Sequence, residues 1–319
     1  MLDQFGRNIE YLRISVTQSC NLKCIYCDPE GENCSENWEN NLTPEEIEKI
    51  TRAMVKAGIK KVRITGGEPL VRRDVCDIIR RISKIEGIED ISMTTNGVNL
   101  YRMAKELKEA GLQRLNISLD SLKEEKFRYI TGGGDFKKTM EGIDLALSLG
   151  MTPVKINTVL IKGINDDEID DIISLAKDKP IEVRFIELMP IGSYGEKNAD
   201  KIIRNGDVIK ARPHLKYLTR TDKGSPAVYY GIDGYVGKIG FISPMTHQFC
   251  GDCNRIRLTS DGKIRPCLGN NGEIDIKEML DLEPEKFDEY IRKIIFEKPR
   301  GHNFGEEYSS SRKMNMIGG

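Results

Sequence analysis

Residues 20–27 read CNLKCIYC, with three residues between Cys20 and Cys24 and two between Cys24 and Cys27. A structural zinc takes four ligands and a disulfide two, so three soft ligands on one loop leave a coordination position open. The loop follows a β-branched run, YLRISV, and five more such runs come after it: KVRIT, DISMTT, QRLNISL, VKINTVL and EVRFIEL. Amphipathic stretches near 44–57, 74–85, 99–110, 137–149 and 166–177 separate them. Strands alternating with helices predict a parallel sheet, and six such units fall short of a closed eight-stranded barrel. The expected fold is α/β, an open or partial (βα)6 barrel over residues 1–190 with its working face at the strand C-terminal ends. Beyond 190 the pattern changes to the strand-prone KYLTR, AVYYGI and YVGKIGFI, a hairpin RIRLTSDGKIRPC turned at Asp261-Gly262, and a helical stretch near 276–296. Residues 191–319 are therefore expected to form a C-terminal extension.

The chain has 319 residues with 49 basic and 50 acidic side chains, a net charge of −1. So even a balance supplies no global field for nucleic acid or an anionic membrane, and any anion site must be local. No run approaches the roughly 18 apolar residues of a membrane span, and the opening MLDQFGRNIEYLR lacks a signal-peptide stretch. A soluble, cytoplasmic protein is expected, in which the eight cysteines are metal ligands or catalytic thiols rather than disulfides.

Three further motifs fall where strands end or turn. In TGGEPL, at 65–70, two glycines let a backbone turn approach a ligand, although the same text also reads as a plain βα turn. Cys250, Cys253 and Cys267 form a second group of three, and His247 would complete a Cys₃His zinc site as readily as a cluster would leave it out. Arg255 and Arg257, two apart on a strand, share a face and suit either a forked grip on phosphate or a solvated surface.

CNLKCIYC, with the aromatic Tyr26 before the last cysteine, resembles the signature of the radical S-adenosylmethionine (SAM) superfamily. There, three thiolates hold three irons of a 4Fe-4S cube, and the open iron chelates the amine and carboxylate of SAM. Together with LRISVTQSCNLKCIYC, KVRITGGEPL, TTNG, NISLDS, FIELMP, CGDCNRIRLTSDGKIRPCL and the terminal GG, nearly the whole chain resembles the GTP 3′,8-cyclase family of molybdenum cofactor biosynthesis. That resemblance implies two 4Fe-4S clusters, one on Cys20, Cys24 and Cys27 and one on Cys250, Cys253 and Cys267. It implies SAM contacts from Gly66, Gly67, Glu68, Asn96, Ser118 and Met189, and GTP contacts from Arg13, Lys61, Arg63, Thr94, Lys155, Arg184, Arg255 and Arg257. The reaction it implies removes the ribose 3′ hydrogen of GTP, joins that carbon to guanine carbon 8 and ends with a reduction, aided by an arginine and by Gly318 and Gly319 reaching the cavity. An external electron donor and product hand-over to cyclic pyranopterin monophosphate synthase follow from it, with a homodimer left open. Asp28 departs from the family's usual methionine, and Cys34 and Cys76 match no ligand. The alternatives are a radical SAM peptide maturase with an auxiliary cluster and, outside enzymes, an iron-sulfur or zinc redox sensor.

Overall fold

The computed structural model describes residues 1–31, 40–220, 222–247, 249–302 and 312–317. Cys34, Gly318 and Gly319 lie outside these. The expected strands form as β1 (Tyr11–Ser15), β2 (Lys61–Thr65), β3 (Asp90–Thr95), β4 (Arg114–Ser118), β5 (Val154–Leu160) and β6 (Ile181–Glu187). Their connections carry α1 (Pro44–Lys56), α2 (Val75–Ser83), α3 (Leu100–Glu109), α4 (Glu124–Thr131), α5 (Phe136–Ser148) and α6 (Ile169–Ser174). β1 to β6 lie side by side in chain order, all parallel.

The residues after 190 build α7 (Gly192–Lys197), α8 (Asn205–Lys210), β7 (Lys216–Tyr217), β8 (Ala227–Gly231), β9 (Lys238–Ile242), β10 (Arg255–Leu258), β11 (Lys263–Arg265), β12 (Ile274–Asp275) and α9 (Pro284–Phe296). These strands extend the barrel sheet at both edges. β9 adds parallel to β6, and β10 adds parallel to β1, giving the order β12-β11-β10-β1-β2-β3-β4-β5-β6-β9-β8-β7. The β10–β11 hairpin turns through Gly262 at φ +84°, a backbone conformation that favours glycine.

The strands are amphipathic with the polar face inward. Leu12 and Ile14, Val62 and Ile64, Leu115 and Ile117, Val183 and Phe185, and Ile256 and Leu258 belong to one buried core packed under the helices. The alternate positions carry Tyr11 and Arg13, Lys61 and Arg63, Lys155 and Asn157, and Arg255 and Arg257. Most barrels of this kind fill their centre with branched apolar side chains. Here period-two alternation leaves a polar chamber instead, and the hydrophobic core lies between sheet and helices.

Local chemistry fixes the elements that frame the chamber. α1 starts with a capping box: Thr43 Oγ1 accepts from the Glu46 N–H at 3.2 Å, Glu46 accepts from the Thr43 N–H at 2.8 Å, and Pro44 follows. α4 ends at Gly132, which has φ +64°, and its last turn docks on the cysteine loop. The N–H groups of Lys23 and Ile25 donate to the carbonyls of Thr131 and Ile130 at 3.0 and 2.9 Å. A Cβ on Gly132 would stand 2.6 Å from the Lys23 carbonyl oxygen, so only glycine permits that approach.

Candidate active site

The inward side chains of β1, β2, β3, β5, β6 and β10 line a cavity of about 260 Å³. Arg13 stands in register with Arg63 on one side and Arg257 on the other, and Tyr11 with Lys61 and Arg255. Asn157 faces Arg184 across the next pair. Gly240 on β9 makes room for Arg184, since a Cβ there would lie 2.9 Å from its Cγ. Eight residues that the family resemblance assigns to GTP, namely Arg13, Lys61, Arg63, Thr94, Lys155, Arg184, Arg255 and Arg257, all line this one cavity.

Its electrostatics suit an anion. Lys61 pairs with Glu10 at 3.0 Å and Lys155 with Glu182 at 2.6 Å. Arg13, Arg63, Arg184, Arg255 and Arg257 have no carboxylate partner among the described residues, although the last four are 5–9 % exposed. Buried polar atoms without a partner include Arg13 Nε, Arg184 Nε, Arg255 Nε and Nη2, Arg257 Nε and Thr94 Oγ1. Burial, then the charges of Arg63, Arg257 and Arg255, hold the Arg13 guanidinium well below its ordinary pKa. Burial and Arg255 push Arg257 down to about 10. Burial outweighs Glu182 at Lys155 and pushes its ammonium down to about 8. Buried guanidinium groups that repel one another are costly unless a polyanion is held among them.

Cys250, Cys253 and Cys267 line the same cavity. Burial raises the Cys253 thiol, but the cations of Arg255 and Lys298 more than offset this and pull it down to about 6. Lys298, 1 % exposed, donates to the Pro266 carbonyl at 2.5 Å, one residue before Cys267. His247, the zinc ligand considered from spacing, is exposed and off the cavity wall, whereas His302 lies on it. Among the described residues, no three of His, Cys, Asp and Glu converge as ligands of a single ion. A cube asks for something else, because each thiolate takes a different iron.

Cys20, Cys24 and Cys27 form a separate group beyond the end of β1. Burial first, then Cys27, Asp120 and Cys20, raise the Cys24 thiol well above its usual pKa. Burial and Asp28 push Cys27 up to about 12. The GGE turn packs on the segment leading into this loop: a Cβ on Gly66 would lie 2.5 Å from Thr17 O, and one on Gly67 would lie 2.4 Å from Ser19 O. Gly67 and Glu68 N–H groups donate to those same carbonyls, at 2.8 and 2.9 Å. Glu68 itself is a brace. Its carboxylate accepts from Thr95 Oγ1 at 2.6 Å, Asn96 N at 2.7 Å and Leu70 N at 3.0 Å, and burial pushes its pKa up to about 7 against those donors. Asn96 Nδ2 donates to Asn21 Oδ1 at 2.8 Å, which ties the end of β3 to the cysteine loop. Ser118 ends β4, half-buried, and Met189 lies on the cavity wall.

Sequence reasoning placed Asp120 at a strand end on the working face but gave it no role. It accepts from Tyr26 OH at 2.6 Å and from Val159 N at 2.8 Å, so it holds the aromatic of the cysteine loop to β5. Tyr11 and Asn157 on the cavity wall, and Asn116, whose Oδ1 accepts from Arg184 Nη2, were missed, and the polar alternation of their strands would have found them.

Residues 14–176 match the Radical SAM superfamily model and 181–304 the Molybdenum Cofactor Synthesis C model. A GTP 3′,8-cyclase of Alkaliphilus oremlandii (strain OhILAs) is 50% identical over 321 residues, covering all of both chains. The chain belongs to the GTP 3′,8-cyclase family. Another member, from Peptoclostridium acidaminophilum, is 47% identical over all of this chain and 98% of its own. Streptococcus suis SuiB bound to the precursor peptide SuiA has TM-score 0.58 and 16% identity, over 92% of this chain and 66% of that one, a likeness of fold alone. Membership of the radical SAM superfamily brings one 4Fe-4S cluster and SAM, and the thiols and glycine cradle beside β1 suit them. No helix among the described residues is long and apolar enough to cross a membrane.

Proposed function

We infer that this chain is a radical SAM lyase, converting GTP to (8S)-3′,8-cyclo-7,8-dihydroguanosine 5′-triphosphate in the first step of molybdenum cofactor biosynthesis. The observation that carries this reading is the row of five arginines, four of them buried and Arg13 half-buried, without carboxylate partners among the described residues, on a wall that also holds three thiols. A triphosphate of about four negative charges suits such a row, as forked guanidinium groups make charge-assisted bonds to phosphate. The fold likeness to a peptide-bound enzyme does not favour a peptide here, because a peptide backbone offers no comparable charge.

Two regions divide the work. Residues 1–190 would hold SAM and its cluster on Cys20, Cys24 and Cys27, with Gly66, Gly67, Asn96, Ser118 and Met189 around the SAM. Residues 191–319 would hold a second 4Fe-4S cluster on Cys250, Cys253 and Cys267, beside the guanine. When bound, SAM and its cluster supply the radical chemistry, fed by an external electron donor. The chain's own residues grip the triphosphate through Arg13, Arg63, Arg184, Arg255 and Arg257, and keep the reacting carbons close and away from water.

Equilibrium binding under anaerobic conditions tests the reading. GTP should bind about 3 kcal/mol or more tighter than guanosine, roughly a hundredfold, since several charge-assisted bonds are lost with the phosphates. Equal affinity for the two would overturn it.

A further inference from the structure

Asp28, where the family resemblance breaks, is 3 % exposed and directly follows the third cysteine of the first group. Its carboxylate is engaged by residues close to the other end of the chain. Lys313 Nζ donates to Asp28 Oδ1 at 2.7 Å, and Asn315 Nδ2 donates to Oδ2 at 3.2 Å. One residue before Lys313, Arg312 grips both carboxylate oxygens of Asp261 in the β10–β11 turn, at 3.2 and 2.9 Å, and reaches Glu273 at 2.8 Å. Further on, Ile317 is 1 % exposed and packs in a small cluster with Ile191, Met189 and Leu268. Met189 and Leu268 also line the substrate cavity.

The stretch RKMNMI at 312–317 therefore touches the first cysteine loop, the hairpin beside the second thiol group, and the cavity wall. A segment of this composition would fray if left alone, and one buried isoleucine with the half-buried Met314 and Met316 does not offset the entropy of fixing six residues. The charge-assisted bonds of Arg312, Lys313 and Asn315 supply the rest, and a carboxylate shielded from water makes them stronger than a surface pair. A methionine at 28 would offer neither bond.

We propose that Asp28 is a positioning residue that, through Lys313 and Asn315, latches residues 312–317 against the cavity wall and so keeps the substrate enclosed until ring closure. The inference rests on the cyclase reading. Asp28 touches neither SAM nor GTP in this account; it acts through the strap.

The test compares the reconstituted holoenzyme with Asp28→Asn, Lys313→Met and the conservative Lys313→Arg. Amide hydrogen exchange over 312–317 should speed up about tenfold in the first two, the equivalent of about 1.4 kcal/mol. In the same two variants, cyclised product per SAM cleaved should fall while KM for GTP stays put, and Lys313→Arg should keep both properties. Exchange and product ratio unchanged in Lys313→Met would overturn the latch. Should Asp28→Asn also lose iron, Lys313→Met alone decides, provided that its own iron content is unchanged, because the Lys313 side chain bonds to Asp28 and Glu30 and not to a thiol. Failure of the cyclase reading would look different: the unaltered chain would make no cyclised product, yet hydrogen exchange would still report the latch.

Discussion

Arg13 stands between Arg63 and Arg257 with its Nε unpartnered, a position that costs the ligand-free protein stability. Arg13→Met removes a repelled, buried charge while keeping most of the volume. It should stabilise the nucleotide-free chain by roughly 1–3 kcal/mol in thermal unfolding, as replacing buried ions by apolar groups does. The same change should weaken GTP binding by roughly 1.5–3 kcal/mol, the value of a charge-assisted bond. A less stable, equally GTP-avid variant would contradict both halves. Arg255→Ala and Arg257→Ala should lose comparable GTP affinity and leave SAM affinity unchanged, measured by the same titrations. Lys155 adds a pH signature. Burial pushes its ammonium down to about 8, and phosphate contact favours the charged form, so GTP affinity should fall as pH rises through 8 with up to one proton taken up on binding. Calorimetry in buffers of different ionisation enthalpy reads that proton, and Lys155→Met should abolish it. At this scale the cations were legible because they sit in motifs or alternate along strands. Asp120 and Glu68 were not legible as braces, since their roles depend on which N–H groups the folded turns bring to them.

Among the elements, β1 to β6 were readable almost to the residue, because β-branched runs bounded by turns leave few other options. α4 was missed. Its sequence, EEKFRYIT, is short and buries only Phe127, Ile130 and Thr131, too thin a stripe for a periodicity to show. Yet α4 carries the cysteine loop on two backbone hydrogen bonds. The GGE turn does the same from the other side, which yields a prediction about the turn rather than about any ligand. Gly67→Ala would bring a Cβ within 2.4 Å of Ser19 O and 2.5 Å of Gln18 O, both backbone atoms that can give way only by moving the cysteine loop. The variant should fold and bind GTP but cleave little SAM when GTP is left out, and cleavage at the unaltered rate would show that the close approach is unimportant.

At the scale of the molecule, the sequence pattern pointed to an open barrel with an appended region, and strand pairing was the part that it did not reveal. β9 and β10 pair with β6 and β1, partners more than 50 and 240 residues away, so no local signal records the match. The consequence is that β10 brings Arg255 and Arg257 alongside Arg13, and places the second thiol group over the chamber opened by the first six strands. Two groups of three thiols predict about eight irons per anaerobically reconstituted chain, as two cubes. Replacing Cys20, Cys24 and Cys27 by serine should remove about half of the iron and all SAM cleavage, whereas replacing Cys250, Cys253 and Cys267 should leave one cluster. Four irons with one zinc would rule out the second cube. GTP deuterated at the ribose 3′ carbon tests most directly whether this chamber joins GTP chemistry to SAM chemistry. Incubated with SAM, a reductant and the reconstituted protein, it should yield 5′-deoxyadenosine carrying the deuterium and a cyclised isomer of GTP that has lost it. Unlabelled 5′-deoxyadenosine with the labelled GTP recovered intact would contradict the account.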